Sequence, residues 1–244
     1  MIELVNQAVK QTRVRIIGGD TKYQDKLVSM FEPHTEIIRK GKASKPTEFG
    51  KMVKIQEAEN QIITHFEVFE EKPADTALLV GAVETHQKIF GRAPELAAAD
   101  AGFYTQANEK KVEVLGVKRT SIPNRNTKSD GRRRYQKQRW FKNGQRWRTG
   151  CEGRISVLKR RHGLDRCLYR GQSGMRRWVG WGVIADNLIN IGLRMAVRAT
   201  GRIENHAVKD SNGRRCQNHL LKPPGKPVRR PRTLRVVNFA PESS

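Results

Sequence analysis

The chain has 244 residues, of which 36% are hydrophobic, and it carries 48 Lys and Arg against 24 Asp and Glu. The resulting charge of +24 indicates a polyanionic partner, most simply nucleic acid. No apolar run has the length of a membrane span, and the N-terminus lacks the apolar core of a signal peptide. Three scattered cysteines argue against a disulfide framework, so we expect a cytoplasmic protein without a membrane partner.

Three consecutive strands open the predicted fold. They read KLVSMFE from Lys26, FGKMVKIQEA from Phe49 and QIITHFEVFE from Gln61, and all three contain β-branched and aromatic residues. The segment EAENQ forms the turn between the last two strands. We therefore expect an antiparallel arrangement of these three segments.

Helices and strands alternate in the next part of the chain. ADTALLVGAVETHQKIFG has apolar residues at helical spacing, with Asp75 as a cap and Gly91 as a stop. A strand ELAAAD, a helix AGFYTQANEKKVEVLG and a strand VKRTSI follow. Further helices are expected from near Arg148 and over residues 174–197. This order predicts an α/β protein with a mixed five-stranded sheet flanked by helices, which matches the ribonuclease-H-like fold.

A basic segment, residues 118–148, contains twelve Lys or Arg and one acid, Asp130, with aromatic residues interleaved. We interpret it as an insertion that binds DNA, because cations contact phosphates and an aromatic ring stacks on an unpaired base. The alternative is a solvated loop whose aromatic residues lie in the core. The residues expected to contact DNA here are Arg132, Arg133, Arg134 and Trp140.

Two acids occupy positions that suit chemistry. Asp100 ends the strand ELAAAD, where a side chain projects from the edge of a sheet, although a helix N-cap would also explain it. Glu152 shares one stripe of a helix with Arg148 and Lys159, because successive residues advance by about 100°. Ordinary surface ion pairs would account for this stripe, as would a metal ion between the acid and a phosphate.

The pattern R-x-x-x-E-x-x-x-x-x-x-K, formed by Arg148, Glu152 and Lys159, resembles the signature around the catalytic glutamate of DDE transposases of bacterial insertion sequences. A tyrosine usually stands in that signature where this chain has Gln145. The stretch AADAGFY resembles the segment with the second catalytic aspartate of the family, which implies that role for Asp100. The resemblance covers roughly residues 20–198.

The family places its first catalytic aspartate on the first strand. In this chain KLVSMFEP offers Glu32, which we take as the third acid, with Glu36, Asp20 and Asp25 as alternatives. A further alternative is that the aspartate belonged to sequence that once preceded Met1.

The resemblance implies cleavage of double-stranded DNA at transposon ends and joining to a target, in the bacterial cytoplasm and by a homodimer on DNA. Two Mg²⁺ ions, replaceable by Mn²⁺, would be held by Asp100, Glu152 and Glu32, since magnesium prefers carboxylate oxygens. Arg148 and Lys159 would bind the flanking phosphates.

We divide the chain into a leader segment (1–25), a catalytic domain (26–198) and a basic Pro/Arg-rich tail (199–244) that we expect to be disordered. Transposases of this type normally begin with a helical domain that recognises DNA ends, so we expect a truncated copy. Two other functions stay open: a catalytically inactive DNA-binding remnant, and an RNA-binding protein whose acids only balance charge.

Overall fold

The computed structural model describes residues 2–24, 26–33, 35–39, 47–200, 233–239 and 242–243. Within these ranges it does not describe the side chains of Arg39, Glu48, Glu152, Arg198, Ala199, Thr200, Arg235, Phe239, Glu242 and Ser243. The helices are α1 (Ile2–Thr12), α2 (Asp75–Phe90), α3 (Gln106–Val114), α4 (Asp130–Lys137), α5 (Arg139–His162) and α6 (Gly171–Thr200). The strands are β1 (Glu36–Arg39), β2 (Thr47–Gly50), β3 (Val53–Glu57), β4 (Ile63–Val68), β5 (Leu96–Ala98), β6 (Arg119–Ser121), β7 (Arg166–Cys167), β8 (Thr233–Phe239) and β9 (Glu242–Ser243).

The larger sheet has five strands in the order β4-β3-β8-β5-β6. Strand β3 is antiparallel to both β4 and β8, whereas β5 is parallel to both β8 and β6. The sheet is therefore mixed, and the expected α/β class is confirmed. A second sheet has the order β1-β2-β9-β7.

The central strand β8 comes from the part of the chain that we expected to be disordered. Its residues Leu234 and Val236 are buried, and its seven residues read TLRVVNF, a composition rich in β-branched side chains. The expectation of disorder is wrong for residues 233–239, while residues 201–232 lie outside the described ranges.

The segment KLVSMFE, predicted as the first strand, is not a strand. The side chain of Gln11 on α1 accepts a hydrogen bond from Leu27 N at 2.7 Å and donates one to Leu27 O at 3.2 Å. Both backbone groups of Leu27 are thus bonded to an amide side chain, which takes the place of a neighbouring strand. The leader segment itself is mostly helical, with a π-helical turn at Arg13–Ile17 after α1.

Two apolar cores cover the faces of the larger sheet. One joins α2 and α3 to the sheet through residues such as Leu79 and Val112, and the other joins α5 and α6 through Leu158 and Val179. Helix α2 ends at Gly91 as predicted, in the left-handed conformation (φ 70°) that glycine adopts without strain.

A histidine lies inside the first core. His86 on α2 is fully buried, and neither ring nitrogen has a hydrogen-bond partner among the described residues. Burial, together with the positive charge of Arg92, lowers the pKa of His86 to about 4. The imidazole is therefore neutral near pH 7, because a charge at this position would have no compensating group.

The basic segment 118–148, predicted as an insertion, is largely regular secondary structure. It contains β6, all of α4 and the first turns of α5, which begins at Arg139 and not near Arg148 as predicted. Ser129 caps α4 by accepting a hydrogen bond from Arg132 N at 3.4 Å. Among the described residues, no helix combines the length and apolar character needed to cross a lipid bilayer.

Candidate active site

Strands β5 and β8 are parallel and point to the same edge of the sheet, where β8 extends four residues beyond Arg235, the residue opposite the end of β5 at Ala98. Asp100 comes two residues after β5 and is exposed at this edge. Its Oδ1 accepts a hydrogen bond from Ala101 N at 2.7 Å and caps a short 3-10 helix, whereas Oδ2 has no hydrogen-bond partner in the described part of the chain. Asp100 is therefore a cap, and it also presents a carboxylate oxygen to solvent.

Asp75 and Asn238 lie at the same edge. Asn238 Nδ2 donates to Asp75 Oδ1 at 2.9 Å, and a methyl group added at Gly102 would lie 2.8 Å from Asp75 Oδ2. The Asp75 carboxylate thus contacts the loop that follows Asp100. The sequence predicted Asp75 as a helix cap, but Ala74 holds the cap position and Asp75 is the first residue of α2. It did not predict a role for Asn238. The run of β-branched residues in TLRVVNF was the signal that could have placed Asn238 on a strand.

Helix α5 is fixed to this edge by Gln145. Its Nε2 donates to Ser121 O at 2.5 Å and to Ala99 O at 3.3 Å, and Ala99 is the residue before Asp100. One residue earlier, a methyl group added at Gly144 would lie 2.8 Å from the side chain of Ser121, so the helix backbone packs closely on β6. Gln145, which departs from the usual tyrosine of the family signature, is therefore an anchor of α5.

The predicted catalytic Glu152 lies on α5 seven residues beyond Gln145. Two turns of helix correspond to a rise of about 10 Å and return to the same side of the helix. Between them, Arg148 Nε donates to Gln145 Oε1 at 3.2 Å. Cys151, next to Glu152, is buried and donates through Sγ to Glu57 Oε2 on β3 at 3.1 Å. The backbone at Glu152 therefore lies over the sheet near β3.

Glu32, the predicted third acid of the site, lies away from the sheet edge at Asp100. Both of its carboxylate oxygens accept from Gly171 N, at 3.2 and 3.1 Å, at the start of α6. The next residue, Gln172, donates to Val68 O on β4. Three strand spacings separate β4 from β5, roughly 14 Å, so the structure does not bring Glu32 to Asp100. A carboxylate at this helix N-terminus has a structural explanation.

Arg132, predicted to contact DNA, is mostly covered by the protein, with 14% of its side chain exposed. Its guanidinium donates to both carboxylate oxygens of Glu109, at 2.9 and 2.8 Å, and to Ile122 O at 2.7 Å. Burial raises the pKa of the Glu109 carboxyl, and the hydrogen bonds and charge of Arg132 oppose that rise. Three rings lie 4.7 to 6.0 Å from the guanidinium: Tyr104, Tyr135 and Phe141.

The other predicted DNA contacts differ in exposure. Arg133 and Arg134 are exposed, and Arg133 pairs with Asp130 at 3.3 Å. Trp140 is half-buried, donates to Gln138 Oε1 and packs edge-on against a neighbouring tyrosine ring 5.2 Å away. Trp140 therefore contacts an aromatic cluster while part of its ring stays exposed.

The ligand atoms at this edge are of the kind that a hard cation prefers, since Asp100 offers a carboxylate oxygen that accepts no hydrogen bond from the described residues. Among the side chains that the structure describes, no group of three His, Cys, Asp or Glu residues could hold a metal ion. That search does not include the side chain of Glu152.

The structure defines a mixed α/β protein with carboxylates at one sheet edge and a basic helix over that edge. Residues 107–191, from α3 into α6, match the family described as Transposase DDE domain. The match includes Arg148, Glu152 and Lys159 but not Asp100. The match confirms the predicted resemblance to DDE transposases for this segment of the chain. No curated protein and no solved structure matches the chain.

Proposed function

We propose that this chain is the catalytic domain of a transposase that cleaves DNA strands and transfers 3′ ends with the help of divalent metal ions. The observation that carries the proposal is the anchoring of α5 by Gln145 to Ala99, the residue before Asp100. This contact holds α5, the helix that contains Glu152, against the segment that leads from β5 to Asp100. The strand order, three antiparallel strands beside two that are parallel to the central one, also supports a ribonuclease-H-like sheet.

Asp100 and Glu152 would hold Mg²⁺, or Mn²⁺ in its place. Asp75 lies close to the loop that follows Asp100. When bound, such an ion lowers the pKa of water and stabilises charge on a phosphodiester. The protein's own contribution is to fix the two acids on separate elements. Arg148, which Gln145 orients, and Lys159, about three turns further along α5, bind the phosphates of double-stranded DNA. Two copies of the chain would hold two transposon ends.

A supercoiled plasmid tests this function, because one nick converts it to the relaxed form. We expect nicking by the parent chain in Mg²⁺ or Mn²⁺, and a loss of about 100-fold or more for Asp100→Asn and Glu152→Gln. Glu84→Gln, the same chemical change at an exposed position of α2, serves as the matched control and should nick like the parent. Glu32→Gln should also retain activity, because Glu32 lies at the start of α6.

Metal binding is measured separately, by titrating Mn²⁺ into the DNA-free chain and following its electron paramagnetic resonance signal. Asp100→Asn and Glu152→Gln should each weaken binding, whereas Glu84→Gln should not. Equal nicking by the parent and Glu152→Gln would refute the catalytic role of that residue.

The second candidate is a catalytically inactive DNA-binding remnant. One observation favours it: at the carboxyl end of the central strand the chain presents Asn238, whose amide holds a metal less strongly than a carboxylate. Binding of DNA without nicking by any preparation, and without Mn²⁺ binding, would select this candidate.

A further inference from the structure

Helix α6 has an exposed apolar stripe on the side opposite to its buried face. Its buried face packs on the core through Val179 and Val183, and further along through Asp186, which pairs with Arg154 at 3.0 Å. A helix that is apolar on two opposite sides normally has neighbours on both. The stripe consists of Trp181, Ile184, Leu188, Ile191 and Met195, each of which exposes 45–65% of its surface.

The spacing of the stripe alternates between three and four residues from Trp181 to Met195. This is the repeat with which two helices pack along a common seam, since it keeps the apolar residues on one side over about 20 Å. The flanking positions Ala185 and Gly192 are small, and a methyl group at Gly192 would meet no atom within 4 Å. Another helix can therefore approach closely.

The lack of basic residues along most of the stripe indicates the class of partner. The sixteen residues from Trp178 to Leu193 contain no Lys or Arg, although the whole chain contains 48 among 244 residues. DNA would find cations to contact its phosphates only at the two ends of this run, at Arg177 and Arg194. By contrast, two chains of charge +24 repel one another least where each presents a surface without cations.

We propose that the stripe of α6 is a dimer interface, on which the same stripe of a second copy packs in an antiparallel orientation. A second copy presents the same three- and four-residue spacing, because a two-fold axis brings identical surfaces of the two copies into contact. In this orientation Leu188 lies opposite Leu188 of the partner subunit. Arg177, next to the stripe, then lies at the far end from its counterpart, whereas a parallel pair would place the two guanidinium groups together.

The area is sufficient for a stable pair. Five large side chains, about half to two-thirds exposed, present on the order of 600 Å² in each copy, so a dimer buries about 1,200 Å². That total reaches the lower end of specific protein interfaces. A patch of this size is also at the upper end of what monomeric proteins expose.

Light scattering on the purified full-length chain, without DNA or metal and in about 0.5 M salt to screen its charge, tests the dimer. We expect twice the monomer mass of 27.9 kDa for the parent and the monomer mass for Leu188→Lys. The matched control is Val114→Lys, which adds the same cation at an apolar residue of α3 that is 88% exposed, and it should remain dimeric. A parent that is monomeric at every concentration, as it would be if another part of the chain covered the stripe, overturns the proposal.

A cross-link keeps the test decisive if Leu188→Lys does not fold. Cys151 and Cys167 are buried, so a chain with Cys216→Ser leaves a new exposed cysteine as the reactive one. Leu188→Cys should then form a disulfide-linked dimer on mild oxidation, and Trp181→Cys should not, because antiparallel packing separates the two copies of residue 181. Cross-linking of Trp181→Cys instead of Leu188→Cys would contradict the orientation.

This inference deepens the two-copy assembly in the proposed function, but its test needs neither DNA nor catalysis. A chain that dimerises through α6 and never nicks DNA would refute only the proposed function. A monomeric chain that nicks DNA would refute only the interface.

Discussion

Two regions of the basic segment carry the same residue type in opposite environments. Arg132 is enclosed by a carboxylate, a carbonyl and three aromatic rings, whereas Arg133 and Arg134, the next two residues of α4, are exposed. A helix turns by about 100° at each residue, so neighbours in sequence lie on different sides. Net charge therefore predicts a polyanionic partner but does not identify the cations that bind it.

The enclosed cation should matter most to stability. Arg132→Ala leaves Glu109 without its two hydrogen bonds and removes the group that packs on the three rings, so it should lower the free energy of unfolding by about 3–4 kcal/mol. Urea denaturation followed by circular dichroism measures this change. Arg134→Ala is the matched control and should stay within about 0.5 kcal/mol of the parent. A stable Arg132→Ala chain with weakened DNA binding would mean that Arg132 is a DNA contact after all.

The contrast between buried and exposed basic groups also applies to His86, a buried histidine with no hydrogen-bond partner among the described residues. The pKa of His86 is lowered to about 4 when folded, so between pH 4 and 6.5 the unfolded chain binds the extra proton. The contribution of His86 to the free energy of unfolding is therefore complete above about pH 6.5. It decreases by about 2–3 kcal/mol as the pH falls towards 4. Urea denaturation of the parent and His86→Gln across this range measures the difference. Parallel pH profiles for the two chains would show that His86 is not neutralised by burial.

The exposed cations should affect stability least and DNA binding most clearly. Arg133→Ala with Arg134→Ala should leave the unfolding free energy nearly unchanged. The slope of log affinity for duplex DNA against log salt should fall by about 0.9 for each phosphate that the variant no longer binds. Fluorescence anisotropy with duplexes of two unrelated sequences measures both the slope and its independence of sequence. An unchanged slope would remove these two residues from the proposed DNA surface.

Local patterns predicted most elements of the sheet and its helices. Helix α2 with its stop at Gly91, and the strands β3 to β6, follow from residue periodicity and turn residues. Two segments could not be predicted in this way. KLVSMFE has the composition of a strand, yet Gln11 bonds its backbone, whereas β8 is a strand because β3 and β5 leave a position between them. Tertiary context decided both cases.

The candidate site was predicted in part for the same reason. Asp100 could be placed at a sheet edge because ELAAAD is a short buried strand followed by an acid. Asp75 and Asn238 could not be brought to it, since their proximity requires β8 to lie beside β5. Glu32 was assigned from its position after an expected strand, and that strand does not form.

The central position of β8 also has a consequence for how the chain folds. Val53 on β3 pairs with Phe239 on β8. Because Phe239 lies near the end of the sequence, almost the whole chain must be synthesised before the two strands can meet. Until then β3 and β5 each present an unpaired edge, which is the kind of surface that associates with other chains. Contacts between such distant segments also close slowly, because loop closure precedes the interactions that stabilise it. Completion of the sheet is therefore a late event in folding, and expression conditions that slow aggregation should raise the yield of native protein.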